Sequence, residues 1–478
     1  MTMKRGDILD VGVDAVAFEG KSVARLEGFV IFVRGGVPGD TVRVRVAAAK
    51  KSFAEADVIE VLRPSALRTP PRCRHFGPCG GCRWQHVTYE AQLGFKRQHV
   101  VDALERIGGF SGLDVAPTLG ADDPFYYRNK MEFSFGDRWL TDEEMAASGG
   151  GKGARAAELR FALGLHIPGR YDRVLDLEEC WLQSELSARI VNDVRSFCAG
   201  NSLPVYSTAT ESGYLRNLVI REGKRTGDRM VNIVTRDDRP DIMRLMTSRL
   251  LAEFPAITTI VNNITRRKSQ VAIGDTERVY HGNGTITERI GTRTYRISAN
   301  SFFQTNTVQA EKLYDTARRM ADPGPGDVVF DLYSGTGTIA LHVADRARAV
   351  IGIESVEQAV RDANGNAALN GVTNCTFLLG DLKDTLGSSR TSGSGLPHPD
   401  IVITDPPRAG MHGKVLNELR ILHPRRIVYV SCNPATQARD LKTLCEDRWY
   451  SIEEIQPVDM FPHTYHVENV VSLKAILR

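Results

Sequence analysis

The chain lacks any apolar run close to the ~20 residues that a membrane-spanning helix needs. Its start, Met1-Thr2-Met3-Lys4-Arg5-Gly6-Asp7, has no apolar centre of the kind that marks a secretory signal. A cytoplasmic protein without a membrane partner is therefore expected. Cysteine is sparse: eight in 478 residues do not make a disulfide scaffold. In a reducing compartment, those that cluster point to a metal or to catalysis. Net charge is only +3, which excludes a global basic field. No internal repeat is evident. A composition 42% hydrophobic and 25% charged is that of a globular protein with ample core material, and the length implies several domains.

Charge is uneven locally. Residues 63–108 carry eight Arg or Lys against three Asp or Glu, a stripe that suits phosphate binding or a merely solvated face. Before it, residues 30–33, 41–46 and 58–62 read as short strands split by turns. Arg43 and Arg45 share one face and the valines the other. A small antiparallel barrel of the oligonucleotide-binding type is expected. Pro64 and Pro70-Pro71 mark a linker, residues 88–106 read as helical, and residues 125–290 as mixed α/β. From about residue 297, strands at 328–332, 349–353, 376–379, 401–404, 427–430 and 470–473 alternate with helices. That pattern predicts a doubly wound, mostly parallel, Rossmann-like sheet. Two Gly/Ser-rich stretches, 146–153 and 387–395, read as surface inserts.

The strand at 328–332 runs into Ser334-Gly335-Thr336-Gly337, where glycine lets a ligand approach the backbone. Glu354 ends the next strand, 19 residues after Gly335, where an acid accepts hydrogen bonds from ribose hydroxyls. Asp381 follows the third strand, where an adenine amino group is read. Ala340 is permitted in a dinucleotide fingerprint, so this motif alone leaves a nicotinamide cofactor open. Asp405-Pro406-Pro407-Arg408 after the next strand has no purpose in a dehydrogenase. Acid-Pro-Pro there is typical of nucleic-acid methyltransferases that use S-adenosylmethionine. Amino-group methyltransferases follow it with an aromatic ring, so Arg408 argues against an exocyclic amine as target.

Cys432 ends an apolar run, Val428-Tyr429-Val430-Ser431, and Asn433-Pro434 follow at once. A lone cysteine is most often inert, the reading given to Cys198, Cys375 and Cys445. Cys432 differs because it lies at a strand's carboxyl end in a domain that already shows a cofactor turn. A chemistry fits it. Carbon 5 of uracil becomes nucleophilic when a thiolate adds to carbon 6, and a separate base must then remove the carbon-5 proton. Glu468, His463 and His466 are candidates for that base.

Three motifs carry a resemblance: Ser431-Cys432-Asn433-Pro434, Asp405-Pro406-Pro407-Arg408, and Pro462-His463-Thr464 with His466 and Glu468. They resemble the signature of the RNA uracil-C5 methyltransferases. Ser301-Phe302-Phe303-Gln304-Thr305-Asn306 and Asp331-Leu332-Tyr333 are similar to the same family. The resemblance implies Cys432 as nucleophile and Glu468 as proton acceptor. It places Gln304, Tyr333, Glu354 and Asp405 around S-adenosylmethionine, joined by Asp381. Thr338 stands where many relatives have Asn, and Ser334 where Cys is frequent. Residues 20–40 resemble the TRAM domain, a small RNA-binding barrel. The expected organisation is a TRAM barrel at 1–63, a central α/β domain at 64–296 and a class I methyltransferase domain at 297–478, in a monomer.

Cys73, Cys79 and Cys82 place three thiols within ten residues, and Cys180 is the best unassigned fourth. Four thiolates suit zinc or a [4Fe–4S] cluster; three together and one remote favour iron–sulfur over paired zinc motifs. Cys79 to His86 resembles the cluster segment of the ribosomal-RNA members. This implies Cys180 as fourth ligand and 23S ribosomal RNA as partner, with transfer RNA the alternative. Beside it, Arg72, Arg74, Arg83, Trp84 and His86 mix charge with π-faces, as single-stranded RNA binders do. A non-catalytic RNA-folding factor is the rival reading. It would use the barrel, the cysteines and the stripe, but has no need for Cys432 and Glu468 together.

Overall fold

The computed structural model describes residues 3–138, 161–269, 271–388 and 396–476. The insert at 146–153 and residues 389–395 of the second lie outside them. Five strands close the N-terminal barrel: β1 (Ile8–Val16), β2 (Ser22–Leu26), β3 (Phe29–Arg34), β4 (Thr41–Ala49) and β5 (Phe53–Arg63), ordered β1-β2-β3-β5-β4 with β4 returning to β1. Alternation builds it. Val42, Val44 and Val46 fill the interior with Ile31 and Ala54, while Arg43 points outward to Asp10 and Glu60, each at 2.8 Å. Ion pairs this exposed add little, so the barrel rests on its apolar centre.

The central sheet holds β6 (Lys130–Asp137), β7 (Phe161–Ile167), β8 (Arg170–Asp176), β9 (Leu215–Glu222), β10 (Arg229–Thr235), β11 (Thr259–Ile264) and β12 (Thr276–His281), in the order β12-β11-β10-β9-β6-β7-β8. Helices Glu185–Gly200 and Pro240–Glu253 contribute Ile190, Val194, Met243 and Leu250 to a core with Phe133, Leu218 and Ile233. A hairpin of β13 (Thr285–Ile290) and β14 (Arg293–Ser298) follows; its Ile286, Ile290, Tyr295 and Ile297 enter the core of the C-terminal sheet.

That sheet contains β15 (Val328–Leu332), β16 (Ala349–Glu354), β17 (Cys375–Leu379), β18 (Ile401–Thr404), β19 (Arg426–Ser431), β20 (Tyr450–Val458) and β21 (Glu468–Ala475), ordered β17-β16-β15-β18-β19-β21-β20. The first five are parallel and β21 runs antiparallel to β19 and β20. Burial on both faces explains the unbroken apolar runs of β18 and β19. Strand β20 is one the sequence pattern does not announce: it carries adjacent Glu453 and Glu454, a register shift between Ile452 and Glu454, and Pro457. Those features are tolerated because it is an edge strand. The order reverses between β15 and β18, which opens a crevice at their carboxyl ends. Helix Tyr89–Ala103 from the cysteine-bearing region packs Val100 and Ala103 into the same core as Phe330, Val402 and Tyr429. No helix among the described residues is long and apolar enough to cross a membrane.

Candidate active site

The antiparallel pairing of β19 and β21 sets the centre of the site. Ser431 pairs with Asn469, and Val430 with Val470. One step further out, the two chains carry Cys432 and Glu468. Cys432 leaves the ladder just beyond its last pair, beside the start of β21, and the Glu468 carboxyl lies near enough to act on its thiol. Glu468 opens β21 rather than preceding it. Asn433-Pro434 starts the next helix, Pro434–Cys445: the Asn433 side chain accepts from Ala435 N–H at 3.1 Å and Pro434 occupies the first turn. The Ser431 hydroxyl accepts from Asn433 N–H at 3.1 Å. Cys432 is thus held at a strand-to-helix corner beside a helix N-terminus.

Buried carboxyls crowd this edge. Glu468 is 5% exposed; burial first, then repulsion from Asp405, raise its carboxyl well above the ordinary range, with Arg408 opposing. Burial lifts Asp405 to about 7. Asp331 is lifted to about 8, by burial and then by Asp405 and Glu354, against the Ala340 N–H that donates to it at 2.9 Å. The Cys432 thiol is pushed up to about 11 by burial and by Glu468 and Asp405, while Arg408 pulls it down. His463 and His466 are each pushed down to about 4, chiefly by burial. Both are weak bases and both rings are engaged: His463 stacks on Phe125 with centroids 4.4 Å apart, and His466 lies 4.2 Å from the Tyr465 ring.

The glycine turn lies across the crevice. Gly335, at φ +53, has open space where a side chain would stand, whereas a Cβ on Gly337 would meet Phe377 at 2.7 Å. Glu354 is aimed by backbone donors: Gly335 N–H at 3.0 Å, Ser355 N–H at 2.7 Å and Val356 N–H at 2.9 Å. Tyr333 sits half-buried at φ 62, its hydroxyl raised by burial first and then by Asp440 and Asp381. Asp381 itself is exposed and paired with Lys383 at 3.0 Å. The backbone carbonyl of Gln304 accepts from Asn129 Nδ2 at 2.8 Å. Among the described residues, Asp331 Oδ1 and Ser334 Oγ are buried without a hydrogen-bond partner. An open glycine turn, unpartnered buried oxygens and carboxyls that repel one another suit a cationic nucleoside such as S-adenosylmethionine. They would repel a pyrophosphate. Asp331 belongs to the Asp331-Leu332-Tyr333 motif but is given no role by it, although an acid inside a doubly buried strand is itself a signal.

Cys73, Cys79, Cys82 and Cys180 line one pocket, together with Phe76, Leu165, Leu177 and Leu182. Gly81 N–H donates to Cys79 Sγ at 3.4 Å and Gln85 Nε2 to Cys82 Sγ at 3.3 Å. Backbone N–H groups of Leu182 and Gln183 serve Cys180. Burial pushes Cys79 and Cys82 up to about 12, and each thiol is raised further by its cysteine neighbours. Among the described residues, no three His, Cys, Asp or Glu side chains converge as a cage for a metal ion; the cysteines share a pocket rather than a point. Arg72 covers the Trp181 ring at 3.9 Å beside it.

A family model of tRNA (uracil-5-)-methyltransferases matches residues 230–476, and one of the TRAM domain matches residues 3–59. An uncharacterised RNA methyltransferase of Chlorobaculum tepidum is 45% identical over 475 residues, covering 98% of this chain and 97% of that protein. One of Porphyromonas gingivalis is 44% identical over 462 residues, covering 96% and 98%. The crystal structure of Pyrococcus abyssi tRNA (uracil-54, C5)-methyltransferase with S-adenosyl-L-homocysteine superposes with a TM-score of 0.73 at 31% identity, covering 97% of this chain and 100% of that one. A TRAM barrel ahead of a cofactor crevice, continuous similarity over nearly the whole length, and a shared fold lead to one assignment: the chain belongs to the RNA (uracil-5-)-methyltransferase family and is an S-adenosylmethionine-dependent enzyme acting on RNA.

Proposed function

We propose that the protein methylates carbon 5 of a uridine in RNA through a covalent bond from Cys432 to carbon 6, with Glu468 removing the carbon-5 proton. The observation that supports this reading is the end of the β19–β21 ladder, where Cys432 follows β19 and the buried Glu468 opens β21, near enough for its carboxyl to act on the thiol. The target base must leave its stack to enter that crevice. Cys432 sulfur bonds to carbon 6, and the ring electrons move onto O4 as an enolate. S-adenosylmethionine, when bound, supplies the methyl group that carbon 5 takes. Glu468 then accepts the carbon-5 proton, the electrons of that C–H bond restore the C5–C6 double bond, and the C6–S bond breaks to return the thiolate. Arg408, which acts on both groups, favours their charged forms. Gln304, Tyr333, Glu354, Asp381 and Asp405 are proposed to surround the cofactor, with Asp331 added on its unpartnered oxygen. Incubating the protein with RNA and the cofactor should yield 5-methyluridine; a product methylated elsewhere would refute the reading.

The carboxyls give a pH signature. With Asp405 at about 7 and Asp331 at about 8, both are largely protonated at low pH and ionised at high pH. Ionised carboxylates hold the sulfonium cation but gain nothing from the neutral S-adenosylhomocysteine. Between roughly pH 6 and pH 9 the preference for S-adenosylmethionine over its product should rise about tenfold. Calorimetric titration of both ligands checks this; a flat ratio would remove these carboxyls from cation recognition.

Cys73, Cys79, Cys82 and Cys180 are proposed to hold a [4Fe–4S] cluster. Four thiols, an apolar lining and N–H donors to sulfur are what such a group uses. Methyl transfer needs no electron, so its role there is structural. Anaerobically purified protein should contain about four irons and absorb near roughly 400 nm, and Cys180→Ser should lose both. One zinc per chain with no band would overturn this. As RNA partner, 23S ribosomal RNA is favoured by the Cys79-to-His86 segment; the transfer-RNA reading rests on the Pyrococcus abyssi relative. Nucleoside mapping of ribosomal and transfer RNA from a deletion strain separates the two.

A further inference from the structure

The loop between β20 and β21 delivers the chain to Glu468, and residues from outside the methyltransferase sheet hold it. Gln92, fully buried on helix Tyr89–Ala103, accepts from His463 N–H through Oε1 at 2.9 Å. Its Nε2 lies 3.3 Å from His463 Nδ1 and donates to the carbonyls of Trp84 at 3.0 Å and Val87 at 2.9 Å. From the cysteine segment, the N–H groups of Arg83 and Trp84 both donate to the His463 carbonyl, at 2.8 and 3.0 Å. Arg83 directly follows Cys82. The Tyr127 hydroxyl donates to the Pro462 carbonyl at 3.1 Å. Nearer β20, the buried pair Lys96 and Asp459 fixes the loop's other end, where Lys96 also donates to the Phe461 carbonyl at 3.0 Å.

This hold has an evident object. His463 adopts φ 64, a left-handed conformation that a non-glycine residue keeps only when its surroundings over-determine it. Five residues later stands Glu468. Cys432, by contrast, is fixed by hydrogen bonds of Ser431 and Asn433 that do not use Gln92.

We propose that Gln92, together with the Arg83–Trp84 backbone, is a positioning latch: it sets the loop so that Glu468 reaches the carbon-5 proton, and it ties the cysteine segment to the second half of the reaction. The proposal rests on the reading of Glu468 as the proton acceptor. Loss of the latch displaces the base without disturbing the nucleophile, so the methylated RNA stays bonded to Cys432.

The test is Gln92→Met, assayed for turnover and, on a denaturing gel, for a covalent enzyme–RNA band. Turnover should fall about 10- to 100-fold with KM for RNA within about twofold, the pattern of a misplaced group, and the band should carry the methyl label. A side chain that only supports folding would lower the active fraction without a band. Should Gln92→Met fail to bind S-adenosylhomocysteine or to melt cooperatively, Gln92→Asn takes its place: it keeps a buried amide but, one methylene shorter, withdraws it from the His463 N–H, and the same band is expected. A band in Glu468→Gln but in neither of these variants overturns the latch. No band in Glu468→Gln overturns the assignment of the base instead.

Discussion

Cys432→Ala should lower methyl transfer at least about 10,000-fold, because without the thiolate carbon 5 is never activated. The protein should otherwise remain intact. Cys432 is half-buried at the end of β19, and the corner is held by the Ser431 and Asn433 hydrogen bonds, neither of which uses the thiol. The glycine turn and Glu354 stand on other strands. Affinity for S-adenosylhomocysteine should therefore stay within about threefold, since no ligating group is lost. Methyl incorporation and calorimetry measure the two sides. Loss of both activities together would point to misfolding, and turnover above about a hundredth of wild type would remove Cys432 from the covalent step.

Glu468→Gln should stall the reaction after methyl transfer and accumulate the covalent RNA adduct, with turnover reduced about 100- to 10,000-fold. The amide keeps the shape of the side chain and loses its basicity. The change should not weaken the fold. The folded-state carboxyl is raised, so its favourable contribution is present below the unfolded value and is lost as pH rises through the folded one. Glutamine removes that loss, so the variant should gain thermal stability relative to wild type as pH increases. A stable protein with an adduct and slow product release is the expected combination. Free product at the wild-type rate would exclude Glu468 from proton removal.

Much of this was legible in the sequence because the responsible patterns are local. The alternation at Val42, Val44 and Val46 forecasts the barrel, and the apolar runs ending in Thr404 and Ser431 forecast parallel strands with ligands at their ends. The positions that escaped are long-range. Gln92 and Lys96 lie on a helix with no clear apolar face, and their buried partners are more than 360 residues away at His463 and Asp459. Strand β20 was hidden by adjacent glutamates and a proline that only an edge position tolerates. The choice of base was open among Glu468, His463 and His466 on spacing. Their surroundings differ in the structure: burial pushes both imidazoles down to about 4, whereas the Glu468 carboxyl is raised and acts on the Cys432 thiol.

The most direct test of the covalent account uses wild-type enzyme and RNA carrying 5-fluorouridine at the modified position. Fluorine cannot leave as a proton leaves, so the reaction must stop with the ring methylated and bonded to sulfur. The account predicts a denaturation-stable complex formed only with S-adenosylmethionine, whose digested peptide places the nucleotide on Cys432. Turnover of that RNA to free product, or a nucleotide attached to any other residue, would contradict it.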